Sequence, residues 1–288
     1  MVDQPCINEL VSVYIPTHLI DLGKLNITKK SNINNINYWE PPNVNKIQYY
    51  TDHEMMMKTI LSCNNQLGLC NYYVYIDNSS IGNEHFDIYF QQLIKMSLKL
   101  RELNINVIIE QNSKCSFREN YFEFVNNCTT PFFLFLEHDW EFVSKLNTRD
   151  IITIMQMHDI GYMSITNYYK SMKNINAIIK AMTNANYSAE QYQYNDVKYS
   201  HKMLYDNTPH FENINYSKTI YIPRIQATKE IYHTGTEGEL REKIKYFFKV
   251  SENQNDKTVQ EHFDNWKLYT IITNHDIIRH LGDWCRKC

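Results

Sequence analysis

Four short apolar runs, each stopped by a polar cluster and separated by helix-length stretches, constrain this chain more than any other feature. Residues 11–15 (Val-Ser-Val-Tyr-Ile) read as a buried strand stopped by Pro16, and 72–76, 106–110 and 132–136 repeat the pattern. Between them, 52–65 carries Met56, Met57, Ile60 and Leu61 at helical spacing, with Thr51 or Asp52 able to cap its start. A long amphipathic helix is expected over 86–103, and another over 118–127, with Tyr121, Phe122 and Val125 on one face. Strand and helix in strict alternation predict the α/β class, a mostly parallel central sheet flanked by helices. In such sheets the ligand crevice lies beyond the carboxyl ends of the strands. Thr17-His18, Asp77-Asn78, Glu110-Gln111-Asn112 and Glu137-His138-Asp139 each follow a strand, so all four are expected to meet on one edge.

The second half is less regular. Short helices are expected at 151–158 and 175–185, and a longer one at 237–248, where Glu239 and Lys243 stand four apart. Strands are expected at 161–166, 219–222, 267–273 and 277–280, while the polar, Tyr-rich stretch 187–215 and the Asn-rich stretch 19–50 read as irregular. No Pro/Gly/Ser linker separates the halves, so one domain is expected over 1–288.

Composition removes several functions. Net charge is −3 (29 basic, 32 acidic residues), with no basic excess to neutralise a nucleic-acid backbone. Only 7 of 288 residues are glycine, and neither G-x-G-x-x-G nor G-x-x-x-x-G-K-[ST] is present, so any phosphate must be held by side chains or a metal. Apolar runs fall far short of the roughly 20 residues that span a bilayer. The first residues lack a basic segment followed by an apolar one, so a soluble cytosolic protein is expected. Seven scattered cysteines fit reduced thiols, and Cys285-Arg-Lys-Cys288 has no second pair with which to bind zinc.

The 137–139 tripeptide carries the chemistry. If it stays extended, the two-residue period puts Glu137 and Asp139 on one side and His138 on the other. Paired carboxylates at a strand end suit a hard cation, Mg²⁺ or Mn²⁺, which neutralises a diphosphate. A plain surface turn after a buried strand is the alternative.

The run 130–142 (Thr-Pro-Phe-Phe-Leu-Phe-Leu-Glu-His-Asp-Trp-Glu-Phe) resembles the metal-binding segment of GT-A fold glycosyltransferases, where an apolar strand enters a D-x-D type motif. Residues 11–17 resemble that family's first strand, 72–80 its second, and 112–120 its N-x-G-x-x-x-A-R-N region. The likeness is ordered over the first half and loose over the second. Composition also resembles such enzymes from large DNA viruses.

The resemblance implies a nucleoside-diphosphate sugar donor bound by Thr17, Asp77, Asn112, Lys114, Arg118, Asn120, Glu137 and His138 in a 1–142 half. It implies Mn²⁺ or Mg²⁺ on Asp139 and Glu137, completed by a late histidine, His280. The 143–288 half would then receive a glycan or glycoprotein acceptor. Here the motif reads E-x-D, so Asp139 is the direct ligand and Glu137 acts through water or the ribose. Ser113-Lys114 replaces a Gly-containing turn, bringing Lys114 to the phosphate. Glu237, between Gly235 and Gly238, suits a base for an attacking hydroxyl and hence inversion, or else a helix N-terminal acid. His280 is a ligand or an ordinary core or surface histidine. Two other functions remain open: a nucleotidyltransferase, and a non-enzymatic glycan-binding or scaffolding protein.

Overall fold

A computed structural model describes residues 6–18, 53–77, 84–111, 117–165, 171–183, 185–227 and 255–280. The strands, in chain order, are β1 (Val11–His18), β2 (Asn71–Asp77), β3 (Asn106–Gln111), β4 (Phe132–Phe135), β5 (Trp140–Phe142) and β6 (Tyr162–Ser164). They continue with β7 (Gln191–Tyr194), β8 (Val197–His201), β9 (His210–Asn213), β10 (Leu268–Ile272) and β11 (Ile278–His280). The helices are α1 (Ile7–Leu10), α2 (His53–Leu67), α3 (Glu84–Glu102), α4 (Phe117–Asn127), α5 (Thr148–Met157) and α6 (Met172–Thr183). Last come α7 (Ile214–Tyr216), α8 (Ile222–Gln226) and α9 (Asp256–Trp266), with a π-helical turn Ser217–Tyr221 joining α7 to α8.

The protein is α/β, with helices on both faces of a nine-stranded sheet in the order β3-β2-β1-β4-β9-β6-β10-β8-β7. Only β9 and β8 run against the other strands of this sheet. Strands from both halves of the chain share it. Alternation along β1 explains the two faces: Val11, Val13 and Ile15 meet Met56, Ile60, Leu93 and Met96 of α2 and α3. Tyr14 points the other way, stacking on Phe124 of α4 (4.7 Å between centroids) beside Phe133 and Phe135.

Pro16 does not stop β1, which runs on to His18 against β2. What stops is the pairing with β4, whose last partner is Tyr14↔Phe135, followed by Leu136 N–H donating to Tyr14 O at 2.9 Å. By alternation, residue 16 turns its backbone to that same side, and proline has no N–H to offer there. The ladder between the two central strands therefore ends there.

Other expectations are corrected. The 187–215 stretch is not irregular: it contains the β7–β8 hairpin and β9. Residues 219–222 are helical, because Ile214, Ser217, Tyr221 and Ile225 form the buried stripe of a helix. Pro223 fits in the first turn of α8, where a missing N–H costs nothing. The expected irregular stretch 19–50 and helix 237–248 lie outside the described residues. No described helix is long and apolar enough to cross a membrane.

Candidate active site

The chain runs from β1 outward through β2 and β3, then crosses back to lay β4 on the other side of β1. That reversal is a topological switch point, the place where an open α/β sheet leaves a crevice beyond its strand ends. The end of the β1–β4 ladder lies at this point, with the end of β1 on one side and the 137–139 segment on the other.

The segment is a turn, not an extended continuation of β4, so simple alternation does not put the two carboxylates side by side. The chain turns because β1 offers no partner beyond Tyr14 and because β5 pairs instead with β11. Glu137, His138 and Asp139 are half-buried, and Trp140 is buried. The Trp140 indole N–H reaches back across the turn to Glu137 Oε2 (3.2 Å). From α2, Thr59 Oγ1 donates to the His138 carbonyl (2.8 Å), and Ser62 Oγ accepts the Phe142 N–H (3.0 Å). Glu141 pairs with Lys58 of α2 (3.5 Å) and with Arg279 of β11. The antiparallel register sets His280 opposite Trp140, so the backbone of the expected third ligand arrives one residue from Asp139.

The remaining expected residues fall in different places. Thr17 is buried, its hydroxyl 2.7 Å from that of Tyr89 on α3, which ties the end of β1 to the core. Asp77 ends β2 in register with His18 on the same edge. Arg118, in the first turn of α4, lies over the Phe122 ring at 5.3 Å. Asn120 is 1% exposed, and among the described residues its amide oxygen has no hydrogen-bond partner. Asn112, Lys114 and Glu237 lie outside the described residues, as does the side chain of His280.

Reading 187–215 as loops concealed a polar cluster behind the acidic turn. His210, at the start of β9, stands opposite Phe135 and stacks on its ring (4.9 Å, 8°). Its Nε2 is 2.8 Å from Glu212 Oε1 and its Nδ1 is 2.6 Å from the Thr208 carbonyl. Both neighbours are hydrogen-bond acceptors. Glu212, fully buried, also accepts from Tyr205 (2.5 Å), Tyr121 (2.7 Å) and Ser217 (2.6 Å). Burial pushes this carboxyl up, but the hydrogen bond and charge of His210, with the Ser217 and Tyr205 hydroxyls, outweigh it and hold it below its ordinary value. Nearby, the buried Lys202 ammonium binds Asp206 (2.5 Å) and the Tyr162 hydroxyl (3.1 Å). The signal for this cluster is present in the sequence: His210 and Glu212 are two apart, which in a strand means one face.

Among the described residues, no three His, Cys, Asp or Glu side chains form a group able to hold a metal. The turn supplies hard oxygen donors, the kind that bind Mg²⁺ or Mn²⁺ through one or two carboxylates while phosphate oxygens complete the shell. The donor set thus fits an ion shared with a phosphate ligand.

No family model and no curated protein matches the sequence. Among solved structures, TarS 1-349 of S. aureus in complex with UDP is similar with a TM-score of 0.44 and 11% identity, over 93% of this chain and 59% of that one. Mannosyltransferase PcManGT from Pyrobaculum calidifontis, in complex with GDP-Man and Mn²⁺, gives 0.40 and 8% over 72% of this chain and 45% of that one. The 4-diphosphocytidyl-2C-methyl-D-erythritol synthase of Anaerococcus prevotii gives 0.39 and 10% over 86% of each. The chain thus spans less than half the length of the mannosyltransferase.

Proposed function

We propose that this protein is a metal-dependent glycosyltransferase of the GT-A type, moving a sugar from a nucleoside diphosphate to a hydroxyl of a glycan or glycoprotein. One observation carries the reading: a half-buried acidic turn stands at the switch point of the sheet, where the β1–β4 ladder ends before Pro16. Asp139, with Glu137 and His280, holds Mn²⁺ or Mg²⁺ against the donor. The bound ion offsets the charge of the diphosphate and stabilises it as a leaving group. Asp77, at the neighbouring strand end, accepts hydrogen bonds from the base or ribose. Arg118 and Lys114 face the phosphates, Asn120 and Asn112 orient them, and Thr17 fixes the floor beneath. His138 lines the same turn. Glu237 takes the proton of the acceptor hydroxyl, which attacks the anomeric carbon from the opposite side and inverts it.

The test is a thermal-shift screen of nucleoside-diphosphate sugars with and without Mn²⁺, on wild type and Asp139→Asn. A ligand that binds the native state raises the midpoint by mass action. The wild type should be stabilised by one donor only when Mn²⁺ is present, and Asp139→Asn should lose that increment while keeping its ligand-free midpoint. Equal stabilisation of both proteins refutes the metal assignment. Release of pyrophosphate from a nucleoside triphosphate and a sugar phosphate would instead make the protein a nucleotidyltransferase.

A further inference from the structure

We infer that Thr59 is a positioning residue for the acidic turn: its hydroxyl sets the orientation in which Asp139 meets a divalent cation. The inference rests on the donor-site reading above and adds a residue on a different element. A threonine inside a helix ordinarily turns its hydroxyl back to a carbonyl of the preceding turn. Thr59 is fully buried in α2 and instead donates across 79 positions of sequence to the His138 carbonyl, at 2.8 Å. One turn further along α2, Ser62 Oγ donates to the Thr59 carbonyl (2.9 Å) and accepts the Phe142 N–H (3.0 Å). The loop is therefore gripped by its backbone on both sides of Asp139. It is gripped again by side chains, through the pairs of Glu141 with Lys58 and Arg279.

The grip matters because the His138 carbonyl directly precedes the peptide link to Asp139. Rotation of that peptide swings the carboxylate. A part-buried carbonyl deprived of its donor turns to find water, and the peptide turns with it. Groups that orient metal ligands are worth about 10- to 100-fold in metal affinity or activity.

The experiment titrates Mn²⁺ alone into the protein and follows water-proton relaxation, which needs neither donor nor turnover. Wild type is compared with Thr59→Val, Thr59→Ser, Ile60→Val and Asp139→Asn. Thr59→Val keeps the shape and removes the hydroxyl. Its half-saturating Mn²⁺ concentration should rise about 10- to 100-fold, and Thr59→Ser should restore the wild-type value within about threefold. Ile60→Val trims the buried neighbour on the same helix, leaves the turn's hydrogen bonds intact, and should titrate like wild type. Equal titration of Thr59→Val and wild type overturns the inference. So does an equal loss in Ile60→Val, which would mark a general effect of loosening α2. Absence of saturation in the wild type, or its persistence in Asp139→Asn, overturns the metal reading itself and the inference with it.

Discussion

Glu212→Gln probes the interior behind the site, and its cost follows from counting donors. Four donors converge on one carboxylate: Tyr121 and Ser217 on Oε2, Tyr205 and His210 Nε2 on Oε1. Glutamine keeps the shape but offers one accepting oxygen, and its amide NH₂ turns toward two groups that are themselves donors. The carboxylate charge that His210 faces also disappears, in a place that is fully buried. Removing one member of a buried ion pair typically costs about 3–5 kcal/mol. With an unfolding entropy of about 2.1 cal/mol/K per residue, a chain of 288 residues loses roughly 5–8 °C of midpoint for that amount. The pH dependence supplies a sign. Because the folded carboxyl is held below its ordinary 4.5, its contribution is complete above that value and is lost as pH falls through the depressed one. The gap between wild type and variant should therefore be widest near neutral pH and should close in acid. Circular-dichroism melts at pH 7 and at several values below about 4.5 measure both. A midpoint change under about 1 °C at pH 7, or a gap that does not change with acid, refutes the account of this cluster.

Three further outcomes are expected. In Gly161→Ala, the added methyl would lie 2.6 Å from the Tyr221 hydroxyl and 2.9 Å from the Tyr216 ring. Tyr221 is buried and bonded to the Trp266 carbonyl, so urea unfolding should show a loss of about 1–3 kcal/mol; an unchanged urea midpoint contradicts this. Arg279→Leu should speed amide exchange at Val143, whose N–H donates to Ile277 O, while overall stability falls by under about 1 kcal/mol. Unchanged exchange there would mean that Arg279 does not hold β11 to β5. With a thiol reagent, exposed Cys6 should react in the native protein, whereas Cys63, buried and with its thiol pushed up to about 12, should react only on unfolding. Rapid native modification of Cys63 would show that α2 opens readily.

The parallel half of the sheet was legible because each strand is a short continuous apolar run, the mark of burial on both faces. The end of β1 was less legible, since the polar Thr17 and His18 still pair with β2 beyond Pro16. The antiparallel half was not legible. β7 reads Gln191-Tyr-Gln-Tyr194, a clean two-residue alternation, but its polar composition concealed the period. At 217–222 the β-branched content of Thr219, Ile220 and Ile222 suggested a strand, while the decisive feature was the helical stripe from Ile214 to Ile225. The turn at 138–139 was beyond reach of local reading. It is imposed by partners far away in the chain, Thr59 on one side and β11 on the other.

The carboxylates near this edge differ in burial and in what they join. Glu212 is sealed and receives four donors, so a ligand would have to break a complete set of hydrogen bonds to reach it. Asp206 is bound by Lys202 and the Thr208 hydroxyl, and Glu141 by Lys58 and Arg279. Glu212 and Glu141 each join separate elements, a structural task that a metal would undo. Glu137 and Asp139 are half-buried on a turn whose backbone is fixed from α2, and Glu137 Oε2 accepts from the Trp140 indole. A rigid backbone beneath carboxylates favours binding a cation without first ordering the loop. The sheet supplies the rest: β9 enters beside Phe135 and walls the crevice on one side of β4, while Pro16 denies β4 a partner on the other. Pro16→Ala restores an N–H on the side facing the turn. If the missing donor is what holds the crevice open, this variant should weaken metal-dependent donor binding with little change in unfolding midpoint, and unchanged binding would assign the opening to β9 alone.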